Sequence, residues 1–147
     1  MSIRMILAAA VLAFAAPAFA QDAPAADPAT AAAAQAEAAF EARAEAFQQA
    51  MATMRGEMEA ALTAAGTDRA KANADMDAIA ARYQPQADAF AIELDAFVTS
   101  QLPVMPPEAQ AQMAQMGPAL RAQIIGAPAS VKADVLQVAA AAVAPAQ

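Results

Sequence analysis

The sequence predicts an all-α fold: a long antiparallel helical hairpin, over about 31–65 and 68–101, followed by short C-terminal helices. Three observations carry this expectation. Alanine dominates the chain, and its 147 residues include only four glycines, six phenylalanines and one tyrosine, a composition that favours helix over sheet. Phe40, Phe47 and Met54 recur every seven residues, as do Met76, Tyr83, Phe90 and Phe97. That is the spacing of a helix that buries one stripe against another helix. Between the two series stand Gly66 and Thr67, which read as a left-handed helix stop followed by an N-cap.

The elements follow in order. Met1 to Arg4 is a short segment with one basic side chain, Met5 to Ala16 is an uncharged apolar run, and Pro17 precedes Ala18-Phe19-Ala20. This is the pattern of a secretory signal cleaved between Ala20 and Gln21. The apolar run is shorter than the ~20 residues that span a bilayer, and no cysteine follows it for lipid attachment. We therefore expect an exported chain, periplasmic or secreted, with no membrane span after cleavage. Residues 21–30 contain Pro24 and Pro28 and show no periodicity, as expected of a disordered leader. The first helix is expected from about Ala31 to Ala65 and the second from Asp68 to about Gln101. Leu102 to Pro107 ends the second helix with three prolines, and Pro107 suits the first position of a third helix through about Met116. Gly117-Pro118 marks a fresh start for a short helix to Ile125. Residues 126–130 read as a linker, and Ser130 as the cap of a last helix from Val131 to about Ala144, so that the C-terminal helices occupy 107–144.

The heptads define a seam. With Phe40, Phe47, Met54 and Ala61 at d, the a positions of the first helix are Ala44, Met51, Met58 and Ala65; in the second, Ala80, Ala87, Leu94 and Gln101 accompany Met76, Tyr83, Phe90 and Phe97. Pairing each a with an opposing d across the turn places Phe40 beside Leu94, Ala44 beside Phe90 and Phe47 beside Ala87. It also places Met51 beside Tyr83, Met54 beside Ala80 and Met58 beside Met76. Large side chains then mostly meet small ones. The same register sets Arg55 opposite Asp77 on one flank and Arg43 opposite Glu93 on the other. Gly56 and Pro85 fall on outer faces, where Pro85 removes one hydrogen bond and is expected to bend the second helix. Ile79, Ile92 and Val98 lie off the seam. The C-terminal helices either fold back onto the hairpin or leave it free to pair as a homodimer.

The inventory of reactive groups is narrow. There is no histidine and no cysteine, hence no imidazole base, no thiol nucleophile, no disulfide and no common zinc set. The near pairs Glu57/Glu59, Asp75/Asp77 and Glu93/Asp95 sit two residues apart and face different ways on a helix. The glutamates Glu37, Glu41 and Glu45 share a face but read as a solvated stripe. No catalytic residue and no cofactor are expected. With Arg4 removed by cleavage, seven basic against fifteen acidic side chains leave a net charge of −8, which disfavours nucleic acid and anionic lipid. Methionine is the remaining signal. Met51, Met54, Met58 and Met76 converge in the expected register, and thioethers are soft ligands that select Cu(I); the same four residues also serve as flexible packing between Ala-rich helices. In a third reading, methionine and phenylalanine line an adaptable surface for varied partners.

The short signal, the long hairpin, Leu62-Thr63 before the turn and Pro107-Glu108-Ala109-Gln110 after the second helix together resemble the Spy/CpxP group of small exported helical proteins. The match covers roughly Phe40 to Met116. The group's Leu-Thr-x-x-Gln signature lacks its glutamine here, because Gly66 follows Ala65, and Met105-Pro106 stands where Leu-Thr or Leu-Ser is expected. The resemblance implies a cradle-shaped dimer and chaperone-like or stress-related binding. The sequence thus leads to a non-enzymatic exported binding protein that engages a protein partner or unfolded client. Soft-metal binding through the methionine cluster, and a structural or regulatory subunit of an envelope complex, are the alternatives.

Overall fold

Residues 28–143 are described by the computed structural model. Among them are four α-helices and no strand: α1 (Pro28–Ala65), α2 (Arg69–Gln101), α3 (Pro107–Ile125) and α4 (Ala127–Val143), with a 3-10 turn, Leu102–Val104, between α2 and α3. The fold is all-α. The signal segment, its cleavage point at Ala20 and Gln21 and the leader up to residue 27 lie outside the described residues. The chain divides into two units between Ala32 and Ala33. Of the first unit only Pro28 to Ala32 are described, as helix; the core belongs to the second.

The hairpin turns where expected but is capped one residue later. Gly66 has a φ of +58°, the left-handed conformation that glycine adopts without steric penalty. The cap of α2 is Asp68 rather than Thr67: its carboxylate accepts the Lys71 backbone N–H at 2.9 Å. An aspartate satisfies an orphan amide and also complements the positive end of the helix. Helix α1 is already helical at Pro28, the first described residue, and so covers the whole expected span from about Ala31 to Ala65.

The expected stops after α2 are weaker than their residues imply. Gly117 and Pro118 lie inside a continuous α3, and the expected linker over 126–130 is the first turn of α4. Pro118 is exposed, so water can take the carbonyl it leaves unpaired. Pro128 occupies the first turn of α4, where its missing N–H had no helical acceptor in any case. Only Gly126 separates α3 from α4, and the two meet at 60°. Adding a Cβ there would bring it to 3.1 Å from the Ala122 carbonyl oxygen, so the elbow depends on glycine's lack of a side chain. Pro85 is likewise exposed within an unbroken α2. No single helix among the described residues is long and apolar enough to cross a membrane.

Packing starts from the seam. Phe40, Phe47, Met51, Met54, Met58, Met76, Ala87 and Phe90 are buried, and Ala44, Ala80, Tyr83, Leu94 and Phe97 pack half-buried against them. The aromatic end departs from the expected alternation of large and small. Phe97, Phe40, Phe90 and Phe47 stack in series, with centroid separations of 4.3, 5.8 and 4.7 Å. Each side chain leans towards the N-terminus of its own helix, so in an antiparallel pair the tips that meet belong to residues further along both chains than the backbone register. That lean brings Phe40 to Phe97, while Leu94 packs half-buried against the same core. Ile79, placed off the seam by the heptad, is buried, as is Ala72. Both belong to one core cluster that also includes Ala127, Val131 and Val135 of α4.

Helices α3 and α4 fold back along α2. Ala127, Pro128, Val131 and Val135 of α4 are buried in the same core. This docking redirects one expected ion pair. Arg55 reaches Asp134 at 3.0 Å instead of Asp77, and Asp77 pairs with Lys132. The last helix takes both charges of that flank as partners. On the other flank Arg43 and Glu93 lie 3.9 Å apart, as the hairpin register requires.

Two stability outcomes follow. Met58→Ala should lose about 2–5 kcal/mol in urea unfolding, by removing a fully enclosed side chain, whereas Met116→Ala at an exposed site should stay within about 0.5 kcal/mol. Arg55→Glu should lose no more than about 1 kcal/mol, and less at high salt. Adding Asp134→Arg should restore the loss, and adding Asp77→Arg should not.

Candidate functional site

The four candidate metal ligands are core residues. Met54, Met58 and Met76 have no exposed surface and Met51 is 7% exposed. Flexible thioethers of this kind fill the irregular gap between Ala-rich helices. Met54, Met58 and Met76 present no surface to a cuprous ion in this arrangement of the helices, and Met51 presents little. Among the described residues no three His, Cys, Asp or Glu side chains group to hold a metal.

Polar chemistry on the hairpin is local. The Tyr83 hydroxyl donates to Glu57 at 3.2 Å, and Arg82 pairs with the same carboxylate. Partial burial among the seam side chains pushes the Tyr83 hydroxyl above its ordinary pKa, and the bond to Glu57 adds to the effect. The arrangement fixes the flank of α1 to α2 and leaves no free base beside a nucleophile. A shallow recess of about 250 Å³ lies on the Arg43/Glu93 flank, floored by Phe47 and Phe90 and edged by Ala46 and Ala89.

The larger opening lies where α2 gives way to α3. Val98 and Leu102 from the end of α2 and its 3-10 turn, with Pro107, Ala111, Met113 and Ala114 from α3, line a groove of about 450 Å³. It is an open surface groove rather than an enclosed cavity. Sequence reasoning placed Val98 off the seam and treated the proline-rich break only as punctuation. The groove forms because that break lets α3 leave α2 at an angle and return along it. Val104, 78% exposed, sits in the 3-10 turn, and Met116, 50% exposed, lies three residues beyond Met113.

Gln110 holds the break together. Its side-chain amide donates to the carbonyls of Leu102 and Met105, at 3.0 and 2.9 Å. These carbonyls belong to a short irregular stretch with few backbone donors, so a side chain supplies the bonds that a longer helix would supply itself. The Gln110 of the Pro-Glu-x-Gln stretch therefore has a structural task in this chain. At the far end of α3, Gln84 of α2 donates to the Ile125 carbonyl at 3.0 Å, and Arg121 pairs with Asp95.

Gln110→Ala should destabilise the protein by about 0.5–1.5 kcal/mol, with amide exchange accelerated first in residues 102–112. No family model, no curated protein and no solved structure matches this chain.

Proposed function

We propose that this chain is an exported, non-enzymatic helical binding protein that shields apolar, basic segments of unfolded clients, in the manner of a chaperone or an envelope-stress adaptor. The observation that carries the reading is the apolar groove between the end of α2 and α3, with Val104 and Met116 exposed beside it. Apolar side chains left in water near one opening mark a surface for a partner. The net charge of −7 selects the sign of that partner: an acidic protein draws basic chains and repels acidic ones. Met113 in the lining gives the groove a wall that adapts to varied side chains. The absence of histidine and cysteine and the dispersed carboxylates favour binding over chemistry. The resemblance to the Spy/CpxP group points the same way.

The test uses the whole purified protein and lysozyme, a basic client that aggregates when its disulfides are reduced. Light scattering should fall in proportion to added protein and approach zero at a few-fold excess; unchanged scattering at that excess refutes the reading. Ala111→Arg, which puts bulk and positive charge into the groove, should weaken suppression about tenfold. The same change at the exposed Ala140 of α4 should leave it unaltered.

A further inference from the structure

The seven methionines among the described residues fall into two populations. Met51, Met54, Met58 and Met76 are enclosed in the core, whereas Met116 is 50% exposed and Met105 and Met113 are half-buried. Met113 and Met116 are three residues apart and so share one side of α3, and Met113 lines the groove. The chain has no cysteine, so thioethers are its only oxidisable sulfur. We propose that Met113 and Met116 are oxidised in the folded protein and that their sulfoxides close the groove to apolar clients. This regulatory step rests on the binding role assigned to the groove above.

The chemistry is a two-electron oxygen transfer from a peroxide. A sulfur lone pair attacks the terminal oxygen of hydrogen peroxide, an S–O bond forms and the O–O bond breaks. The departing hydroxide gathers the remaining proton and leaves as water. Sulfur is oxidised, peroxide is reduced, and one sulfoxide forms for each peroxide consumed. Reaction requires contact with solvent-borne oxidant. That condition separates Met116 and Met113 from Met54, Met58 and Met76, which no solvent reaches. A sulfoxide replaces a soft apolar wall with a polar group that seeks hydrogen-bond partners. Docking an apolar side chain against it strips the water from the sulfoxide oxygen, so the groove loses affinity. A methionine sulfoxide reductase reverses the change.

The experiment treats the whole purified protein with hydrogen peroxide and maps each methionine by peptide mass spectrometry. Circular dichroism confirms that the helices persist. Met116 should be modified first and the half-buried Met113 and Met105 next, with Met54, Met58 and Met76 unmodified. Binding to reduced, carboxamidomethylated lysozyme, a permanently unfolded basic chain, should weaken about tenfold on oxidation. For the double variant Met113→Leu, Met116→Leu, the ratio of binding before and after peroxide should return to one. Oxidation of Met54, Met58 or Met76 as fast as Met116 in a protein that keeps its helicity overturns the site. Sulfoxides at Met113 and Met116 with unchanged lysozyme binding overturn the regulation and leave the groove reading intact. Failure of the untreated protein to bind lysozyme overturns the groove reading and the regulatory step with it, while the choice of oxidised residues stands or falls on the peptide map alone.

Discussion

Contact between the apolar stripes of α1 and α2 is the constraint on which everything else in the described chain depends. With no cysteine, no covalent staple limits the unfolded state, and exposed ion pairs add little. Stability has to come from removing apolar side chains from water, at about 1.5–3 kcal/mol for each large one. Met54, Met58 and Met76 do this completely, and Phe40, Phe47 and Phe90 nearly so. Alanines beside them allow the helix axes to approach, and the methionines then deform to fill what space is left. A chain with so few aromatic residues needs that adaptability, because it lacks the bulk to build a rigid interlock along the whole seam.

Helix α2 is the shared wall of the structure. One side meets α1, and a neighbouring side carries Asp77, Gln84, Ala91 and Val98 at seven-residue intervals. Every member of this second series faces the returning helices in some way. Asp77 pairs with Lys132, Gln84 holds the end of α3, Ala91 is fully buried and Val98 borders the groove. The order runs from charged to apolar along α2, and it matches the order in which α4 and then α3 pass beside it. Charges here locate the incoming helices, and burial supplies the energy that holds them.

Much of this was legible in the sequence, and the misreadings have common causes. The seam residues could be read because a seven-residue recurrence of Phe and Met among alanines has little other explanation. Gly66 could be read because a single glycine stood between two such series. Ile79 lies off the strict heptad, and its burial joins it to a core that Ala127, Val131 and Val135 of α4 complete, which no two-helix register announces. Gly117-Pro118 reads as a fresh start and residues 126–130 as a linker, because proline in a helical sequence usually marks a break. Whether it breaks the helix depends on where its missing N–H falls, and only the three-dimensional setting reveals that. The partner of Arg55 could not be read from the hairpin alone, since Asp134 lies on a helix whose docking no periodicity announces. The groove was invisible for the same reason: its walls are Val98 and Leu102 on one side of the break and Ala111 and Met113 on the other.

Helix α3 contains no buried residue. It is held chiefly at its two ends, by Gln110 at the proline-rich break and by Gln84 at the Gly126 elbow. A span anchored in this way behaves as its own opening unit, with a free energy of opening well below that of the hairpin. Its displacement changes the width of the groove and, of its own side chains, loosens Ile124, which packs against the core. The mouth of the groove is therefore tied more loosely than the heart of the molecule, and substitution at exposed positions along α3 can reshape it at little cost to the scaffold.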